Sequence, residues 1–509
     1  MTEQHETILG PPGTGKTQTN SNRIRNCVEE GIDPQRIACV SFTRKAARES
    51  RERVGRDWGL EEKDLPFFQT LHSMAYRAGG YSPNDVIGAK DLKIIGDAVG
   101  IPFGSRNSNI ETDFDTLGIS TGDFYMNLYH LSRSKKIDLE EMYRSQGDYH
   151  LNFVELRRLV RAYENYKQVY RKIDFTDMIA NFVKSDDGPN IDALFVDEAQ
   201  DLSTLQWSMV DVLRKKPRIQ VFTGDDDQAI MNFQGADVQA FLNATEKKTV
   251  LNQSYRVPVS VWEQAQSIVN QIDDRAPKDW YPTKDEGSVR YHQNLWDIPL
   301  QEGEWCLMAR TNRIASHYAA ELRNEGWVYS RNGHPSIHLK TYEAIMDWES
   351  WCKGQPLAPT KIRNLYTFMK VGEGFVKGFG PRSNNLTSLN EEEAHTMQYA
   401  STNLGLLADS SMRWHRALGK IDLDTKNYIL NALKRGDNVR NPRIKISTIH
   451  SMKGGEADNI IVVPDLSYAA YREYNRNPST EHRVFYVAVT RAKESLHILY
   501  PQTNRAYDI

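Results

Sequence analysis

One pattern recurs along the first half of the chain: a short apolar run, then a turn, then a polar stretch of helical character. The apolar runs are ETILG, RIACVSF, IDALFV and RIQVFTG. Continuous apolar strands that alternate with helices are typical of a parallel sheet covered on both faces. The pattern therefore predicts an α/β fold, and we expect the polar site at the carboxyl ends of the strands, where such sheets bind ligands.

A second series of strands and helices begins near Trp305 and resumes at RIKISTIH and DNIIVVPD. Each series is interrupted by a mostly helical stretch, as the helical spacing of Phe153, Leu156 and Val160 indicates for the first one. We therefore expect two cores, each with an insertion. The predicted boundaries are 1–75 and 166–258 for the first core, 76–165 for its helical insertion, 259–335 and 441–509 for the second core, and 336–440 for its short helical insertion.

Composition restricts the class of protein more than it identifies it. The formal net charge is only -3, so binding to a polyanion would require a local basic and aromatic surface. Four scattered cysteines without a CxxC pair do not favour a zinc site or a disulfide framework. No run approaches the ~20 apolar residues that span a bilayer, and MTEQHETILG lacks the layout of a signal peptide. We expect a soluble, intracellular protein of the cytoplasm, including the nucleoid or a phage-infected host, with no membrane partner.

A phosphate-binding loop directly follows the first apolar run. The pattern GxxxxGK[ST] is formed by Gly10, Pro11, Pro12, Gly13, Thr14, Gly15, Lys16 and Thr17. Glycines allow backbone N–H groups to face phosphates, the lysine reaches the terminal phosphates, and the threonine hydroxyl is a ligand for Mg²⁺. The loop predicts binding of a nucleoside triphosphate.

Acidic, amide and guanidinium groups at the ends of other strands complete the expected chemistry. Asp197 and Glu198 follow IDALFV, where a carboxylate pair can hold Mg²⁺ and deprotonate an attacking water. Gln228 follows another strand and can sense a γ-phosphate without adding charge. Arg256 and Arg491 can stabilise the charge that develops during phosphoryl transfer. Taken singly, an acidic pair at a strand end is more often a solvated cap, and each arginine a surface residue.

Read together, these segments resemble the motif series of the UvrD/Rep/PcrA-like superfamily 1 DNA helicases. The series runs GPPGTGKT, VSFTRKAARE, FQTLHSMAYR, VDEAQDLSTLQW, GDDDQAIMNFQGA, LNQSYR, ISTIHSMKGGEADNIIVV and FYVAVTRAK. The resemblance implies two RecA-like P-loop NTPase cores with ATP and Mg²⁺ in a cleft between them. It implies catalytic roles for Lys16, Glu198, Gln228, Arg256 and Arg491, and Mg²⁺ ligation by Thr17 and Asp197. It also implies a base-stacking role for Tyr255 and a ribose contact for Glu456.

The same resemblance implies movement along single-stranded DNA in the 3′-to-5′ direction. It also implies binding at junctions between single-stranded and duplex DNA. The residues that match the DNA-contacting positions of the family are Phe42, Thr43, Thr70, His72, Phe233 and His450. Aromatic faces that stack on any base and short polar groups that hold phosphates suit binding without sequence preference.

Three features depart from the family pattern. Only Gln4 is available in place of the upstream glutamine that reads adenine, so we expect weak selectivity for ATP over other purine triphosphates. In MNFQGA, Phe233 and Gln234 stand where the family has tryptophan and arginine, which removes a charge between the expected DNA and ATP sites. The second insertion is short and little sequence follows the last motif, so we expect a reduced motor.

Two alternatives are compatible with the same motifs. GPPGTGKT also resembles the RNA-active branch of superfamily 1, although VSFTRKAARE, GDDDQAI and TIHSMKGGEAD favour the DNA-active branch. The chain could also be a translocase, a nucleoprotein remodeller or a nucleotide-gated switch that never separates duplex strands. The complete set of catalytic residue types favours turnover over a mere sensor.

Overall fold

The computed structural model describes residues 4–104, 120–145 and 152–509. The chain forms two compact units. The larger unit comprises Met1–Leu295, Arg310–Asn312 and Ile449–Ile509, and the smaller unit comprises Trp296–Ala309 and Arg313–Thr448. The division into cores and insertions expected from the sequence stays a prediction.

The elements up to residue 295 begin with a strand and continue as an alternation of strands and helices. They are β1 (Gln4–Leu9), α1 (Lys16–Glu29), β2 (Ile37–Ser41), α2 (Arg44–Trp58), β3 (Phe68–Thr70), α3 (Leu71–Ala78), α4 (Ala89–Val99), α5 (Thr121–Lys135), α6 (Leu139–Ser145), α7 (Phe153–Tyr170), α8 (Phe175–Ser185), β4 (Ala193–Asp197), α9 (Thr204–Leu213), β5 (Ile219–Gly224), α10 (Val238–Leu242), β6 (Lys248–Val250), α11 (Val259–Val269) and β7 (Ser288–His292).

The remaining elements continue the alternation around a long helical stretch. They are β8 (Trp305–Ala309), α12 (Asn312–Asn324), β9 (Tyr329–Arg331), β10 (His334–Pro335), α13 (Leu339–Cys352), α14 (Pro359–Phe368), α15 (Asn384–Thr387), α16 (Met397–Asn403), α17 (Trp414–Ala417), α18 (Leu423–Arg435), β11 (Ile444–Thr448), β12 (Ala457–Val462), α19 (Tyr468–Arg476), α20 (Pro478–Val489) and β13 (Ala492–Leu499).

A six-stranded sheet organises the larger unit, with strands in the order β3-β2-β4-β5-β1-β6. Every pairing in it is parallel, and the register aligns Ser41 with Asp197 and Leu9 with Gly224. The last residues of four strands therefore lie along one edge of the sheet. The segments that follow these strands contain Lys16, Thr43, Glu198 and Gln228.

Both faces of this sheet are covered around its central strands, which explains why β2 and β4 are almost entirely apolar. Phe195 and Val221 belong to the cluster on one face, together with residues of α1 and α2. Val196 and Phe222 belong to the cluster on the other face, with residues of α3, α8 and α9. Alternate residues of one strand point to opposite faces, so a strand covered on both sides needs apolar residues at every position.

The described elements between β3 and β4 are all helices. Helices α4, α5 and α7 share an apolar core that includes Tyr125, Leu156 and Tyr163. The helical spacing of Phe153, Leu156 and Val160 corresponds to α7, in which Leu156 is fully buried. The aromatic residues of this region thus serve mainly to pack helices together.

The larger unit contains three further strands, β12, β13 and β7, which pair in parallel. Helix α20 precedes β13, and every residue of α20 from Val484 to Val489 is buried. The segment FYVAVTRAK is therefore the end of a buried helix, a turn and the start of a strand. This turn carries Arg491.

In the smaller unit, β9, β11 and β8 pair in parallel, and β10 pairs antiparallel with β9. Its helical part surrounds a core that contains Trp348, Trp351 and Tyr366, each at most 1% exposed. The prediction of an α/β fold with parallel-rich sheets is confirmed, and the sheets are consistent with two RecA-like cores.

Two further findings concern membranes and cysteines. Among the described helices, none combines the length and the apolar composition that crossing a membrane requires. All four cysteines are free thiols, and Cys27, Cys39 and Cys306 are buried.

We expect Trp348→Ala to destabilise the chain by about 3–5 kcal/mol, because it removes a fully buried indole from the core of the smaller unit. It also removes the indole N–H that donates to the Met412 carbonyl at 3.0 Å. Urea unfolding followed by circular dichroism measures the loss. Leu407→Ala is the control, because Leu407 is 46% exposed and its truncation should change stability by no more than about 0.5 kcal/mol.

Candidate active site

The loop between β1 and α1 has the backbone of a phosphate-binding loop. Gly13 and Gly15 have φ values of +73° and +79°, in the left-handed region that favours glycine. Lys16 is the first residue of α1, and its ammonium folds back to donate to the Gly10 carbonyl at 2.6 Å. The positive end of a helix and a lysine thus face the same space, which is an environment for an anion.

Residues 254–256 lie directly against this loop. The Ser254 hydroxyl donates to the Pro12 carbonyl at 2.8 Å, and the Tyr255 backbone N–H donates to the Gly13 carbonyl at 2.8 Å. A methyl group on Gly13 would come within 2.6 Å of the Arg256 Cβ. The structure therefore brings Tyr255 and Arg256 to the loop.

An open pocket of about 550 Å³ adjoins these residues. It is lined by Tyr255, Arg256, Thr283, Asp285, Gly287, Asp458, Lys493 and Glu494. The Tyr255 side chain is 77% exposed, so its ring is available for stacking. Beside it, the Arg256 guanidinium donates to the Glu456 carboxylate at 2.6 Å. Tyr255, Arg256 and Glu456 thus occupy one region next to the loop.

The acidic pair lies at the end of β4, and the pKa values of its two carboxyl groups are shifted in opposite directions. Burial and the neighbouring charge of Glu198 raise the pKa of Asp197 to about 7. Burial also opposes the charge of Glu198, but Lys16 and Lys453 outweigh that cost and hold the pKa of Glu198 below its usual value. Glu198 is therefore the carboxylate that stays ionised in this environment.

The donor set fits Mg²⁺ bound together with a phosphate. Within the described residues, no group of three or more His, Cys, Asp or Glu side chains could hold a metal by itself. Mg²⁺ is commonly held by one or two protein oxygens plus substrate phosphates. Asp197 is buried, so a cation would stabilise the negative charge of its carboxylate. Thr17 follows Lys16 in the first turn of α1. These two residues would hold the ion.

Gln228 and Arg491 are in direct contact, although they lie far apart in the sequence. An Arg491 Nη2 atom donates to the Gln228 Oε1 atom at 2.7 Å, and Arg491 Nε donates to the Val487 carbonyl at 2.9 Å. Arg491 is 2% exposed, and burial together with the charge of Arg256 lowers its pKa to about 9. The amide and the guanidinium form one buried unit.

Sequence reasoning missed the polar residues that join these groups. Lys453 contacts both carboxylate oxygens of Asp201, at 2.7 and 2.6 Å, and the Gln228 carbonyl at 2.6 Å. Gln200 donates to Glu198 at 2.7 Å, and Asn20 lies between Asp197 (3.4 Å) and Thr223 (2.7 Å). Lys453, Gln200 and Asp201 stand within motifs and Asn20 lies just after the phosphate-binding loop, but only the fold identifies their partners.

Four of the predicted DNA-contacting residues lie at the ends of β2 and β3 or directly after them. Thr43 is the N-cap of α2, where its hydroxyl accepts from the Ala46 N–H, and Thr70 caps α3 in the same way through Ser73. Both threonines therefore have a structural role as helix N-caps, a position at which threonine is favoured in any protein. Thr43 is exposed, whereas Thr70 is buried.

The two aromatic members of this set are only partly accessible. Phe42 packs against the apolar cluster beneath it, and His72 lies edge-on to Phe175 with ring centroids 6.1 Å apart. Burial and the nearby charge of Arg44 lower the pKa of His72 to about 4, so its ring is neutral.

The other two residues contact each other. The rings of Phe233 and His450 are perpendicular with centroids 5.4 Å apart. His450 is buried, and its burial and the charges of Arg310 and Lys453 keep its pKa well below the usual value. Phe233 follows Gln228 in the sequence and His450 precedes Lys453, so this aromatic pair adjoins the network around Gln228.

The fold and the loop define a protein of the P-loop class. Residues 1–249 match the UvrD/REP helicase N-terminal domain, and residues 444–499 match the UvrD-like helicase C-terminal domain. The chain belongs to the UvrD-like helicase family.

Curated relatives include proteins named ATP-dependent DNA helicase PcrA. The one from Staphylococcus aureus (strain NCTC 8325 / PS 47) is 26% identical over 392 residues, covering 72% of this chain and 51% of the relative. The one from Bacillus subtilis (strain 168) is 25% identical over 367 residues, covering 66% and 46%. The one from Leuconostoc citreum is 24% identical over 382 residues, covering 67% and 50%. The matched region thus corresponds to about half the length of these relatives.

We expect Gly13→Ala to weaken binding of a non-hydrolysable ATP analogue at least tenfold. The substitution strains a backbone with φ +73° and forces a methyl group against Arg256 and Ser254. Fluorescent-analogue titration measures the effect. Gly31→Ala is the control, because Gly31 has φ +92° with nothing within 4 Å of its added methyl group. That variant should lose about 1–2 kcal/mol of stability and bind the analogue normally.

Proposed function

We propose that this chain hydrolyses ATP with Mg²⁺ and uses the energy to move along single-stranded DNA in the 3′-to-5′ direction, separating duplex at junctions. The observation that carries the proposal is the contact between Gln228 and Arg491, whose guanidinium is close enough to Glu198 to help lower the pKa of that carboxyl. Membership of the UvrD-like helicase family supports the DNA substrate.

In this proposal the loop and Lys16 bind the triphosphate, and Thr17 and Asp197 hold Mg²⁺, which neutralises phosphate charge. Glu198, kept ionised by Lys16 and Lys453, accepts a proton from the attacking water. Gln228 senses the γ-phosphate. Arg256 and Arg491 stabilise the charge on the transferring group, which spreads over its equatorial oxygens.

Tyr255 stacks on the base within the open pocket, and Glu456 contacts the ribose. Arg256 Nε donates to the Glu456 carboxylate, so the two residues proposed to contact the phosphate and the ribose are joined to each other. A guanidinium has five N–H donors, so Arg256 can keep this contact and also donate to a phosphate.

Coupling between ATP and DNA is proposed to pass through the segments that contain Gln228 and Lys453. Lys453 holds the Gln228 carbonyl, and the adjacent Phe233 and His450 rings contact each other. A shift of Gln228 on hydrolysis would therefore move an aromatic surface on which a base can stack. We propose that the two predicted cores, 1–75 with 166–258 and 259–335 with 441–509, close on ATP and reopen after hydrolysis.

We expect Lys16→Ala to reduce the ATPase rate by on the order of 10²-fold or more and to weaken nucleotide binding, because it removes the charge that faces the terminal phosphates. Glu198→Gln should retain ATP binding and reduce hydrolysis by about 10²–10⁴-fold, because it removes the general base. Phosphate release with and without poly-dT measures both effects. If either variant turns over at the wild-type rate, the role assigned to that residue is wrong.

We expect the chain to hydrolyse GTP at a rate within about tenfold of ATP. The proposed base contact is stacking on Tyr255, and Gln4, within β1, does not provide the upstream adenine-reading motif of the family. Steady-state kcat/KM values for the two nucleotides decide the question. A preference for ATP of a thousandfold would contradict stacking as the main source of selectivity.

A labelled partial duplex with a 3′ or a 5′ single-stranded tail tests unwinding and direction together. The proposal predicts strand displacement with the 3′ tail and little with the 5′ tail. DNA-stimulated ATP hydrolysis without displacement on either substrate would favour a translocase or remodeller. Stronger stimulation by poly-U than by poly-dT would favour the RNA-active alternative.

A further inference from the structure

Three consecutive aspartates follow β5, and all three are completely buried. They are Asp225, Asp226 and Asp227, each 0% exposed. Adjacent buried carboxylates repel one another and lose their hydration, so they require counter-charges and hydrogen bonds from the protein. The same turn ends in Gln228, so the way in which these charges are neutralised determines how Gln228 is presented.

The counter-charge comes from a segment about fifty residues further along the chain. The side chain of Lys278 is itself 0% exposed, and its ammonium lies 3.1 Å from Asp225 Oδ1 and 2.9 Å from Asp227 Oδ2. It also forms an ion pair with Asp226. Arg275 donates two hydrogen bonds to Asp227, at 2.9 and 2.7 Å. Of the two cations, Lys278 contacts Asp225, whereas the hydrogen bonds of Arg275 go to Asp227.

Asp225 connects this ion cluster to the candidate active site. Its Oδ2 atom accepts from the Gln228 side-chain Nε2 at 2.6 Å, while Gln228 Oε1 accepts from Arg491 at 2.7 Å. Because the carboxylate takes the amide nitrogen, the amide oxygen faces the guanidinium. A rotated amide would place an NH₂ group against Arg491, where two donors would oppose each other.

We propose that Lys278 is a positioning residue for ATP hydrolysis: it fixes Asp225, and Asp225 holds the Gln228 amide with its oxygen toward Arg491. Lys278 does not contact substrate in this account. A buried ion pair is an ineffective source of stability compared with apolar packing, but removing one partner leaves an uncompensated buried charge. Charge-assisted hydrogen bonds from Lys278 thus keep the amide oriented before nucleotide binds.

The inference rests on the proposed ATPase function and is tested with Lys278→Met, which retains length and removes the charge. We expect the DNA-stimulated kcat for ATP to fall about tenfold, with the KM for ATP within about twofold of wild type. Arg275→Met is the matched control. It removes a cation from the same cluster without touching Asp225 or Gln228, so it should lower the melting temperature comparably and leave kcat within about twofold.

A double-mutant cycle with Gln228→Ala separates positioning from general destabilisation. If Lys278 acts through Gln228, adding Lys278→Met to Gln228→Ala should change kcat no further. A further tenfold loss in that background, or an equal kcat loss in Arg275→Met, would overturn the inference. Asp225→Ala leaves Lys278 paired with the other two aspartates and should also lower kcat about tenfold. Added to Gln228→Ala, it should leave kcat unchanged.

Asp225→Ala decides the matter if Lys278→Met does not fold. ATP hydrolysis by the wild-type chain separates failure of the proposed function from failure of the positioning role. Absence of ATP hydrolysis by wild type would contradict the proposed function itself. If the wild-type chain hydrolyses ATP and either folded Lys278→Met or Asp225→Ala does so at the same rate, only the positioning role is contradicted.

Discussion

A hydrogen bond from the buried guanidinium of Arg491 to the side-chain oxygen of Gln228 is the contact on which the candidate site depends. It joins a residue that follows β5 to one that precedes β13, more than 250 positions away in the sequence. Burial and a second arginine lower the pKa of Arg491 to about 9, so the environment is unfavourable for an isolated cation. An anion in this space would stabilise the guanidinium, which is what an ATP phosphate would provide.

The polar network around this contact is built on strand ends. Parallel pairing aligns the ends of β1, β2, β4 and β5, so residues from four separate motifs meet at one edge. Lys453 then connects the acidic segment, through Asp201, with the Gln228 carbonyl. A single bound ligand at this edge would therefore be sensed by several loops at once. Such an arrangement suits the coupling of chemistry to movement.

Much of this could be predicted from the sequence, for identifiable reasons. Continuous apolar strands indicate a parallel sheet. The pattern GxxxxGKT after such a strand indicates a phosphate-binding loop, and Gly13 and Gly15 have the left-handed backbone that glycine allows there. The short strands β3, β6, β9 and β10 have too few residues to show a pattern. The partners of Lys453 and Lys278 could not be predicted, because a lysine's spacing says nothing about which distant carboxylate it neutralises.

For Thr43 and Thr70, in contrast, one sequence pattern is compatible with two different roles. Both match DNA-contacting positions, yet each hydroxyl already caps a helix, so the sequence signal has two physical explanations.

The most direct test of ATP-driven movement is stopped-flow translocation on oligo-dT of increasing length, with a fluorophore at either the 5′ or the 3′ end. The account predicts that, on adding ATP and Mg²⁺, the signal from the 5′ label shows a lag that grows with length. ATP hydrolysis with no length-dependent lag at either end would contradict it.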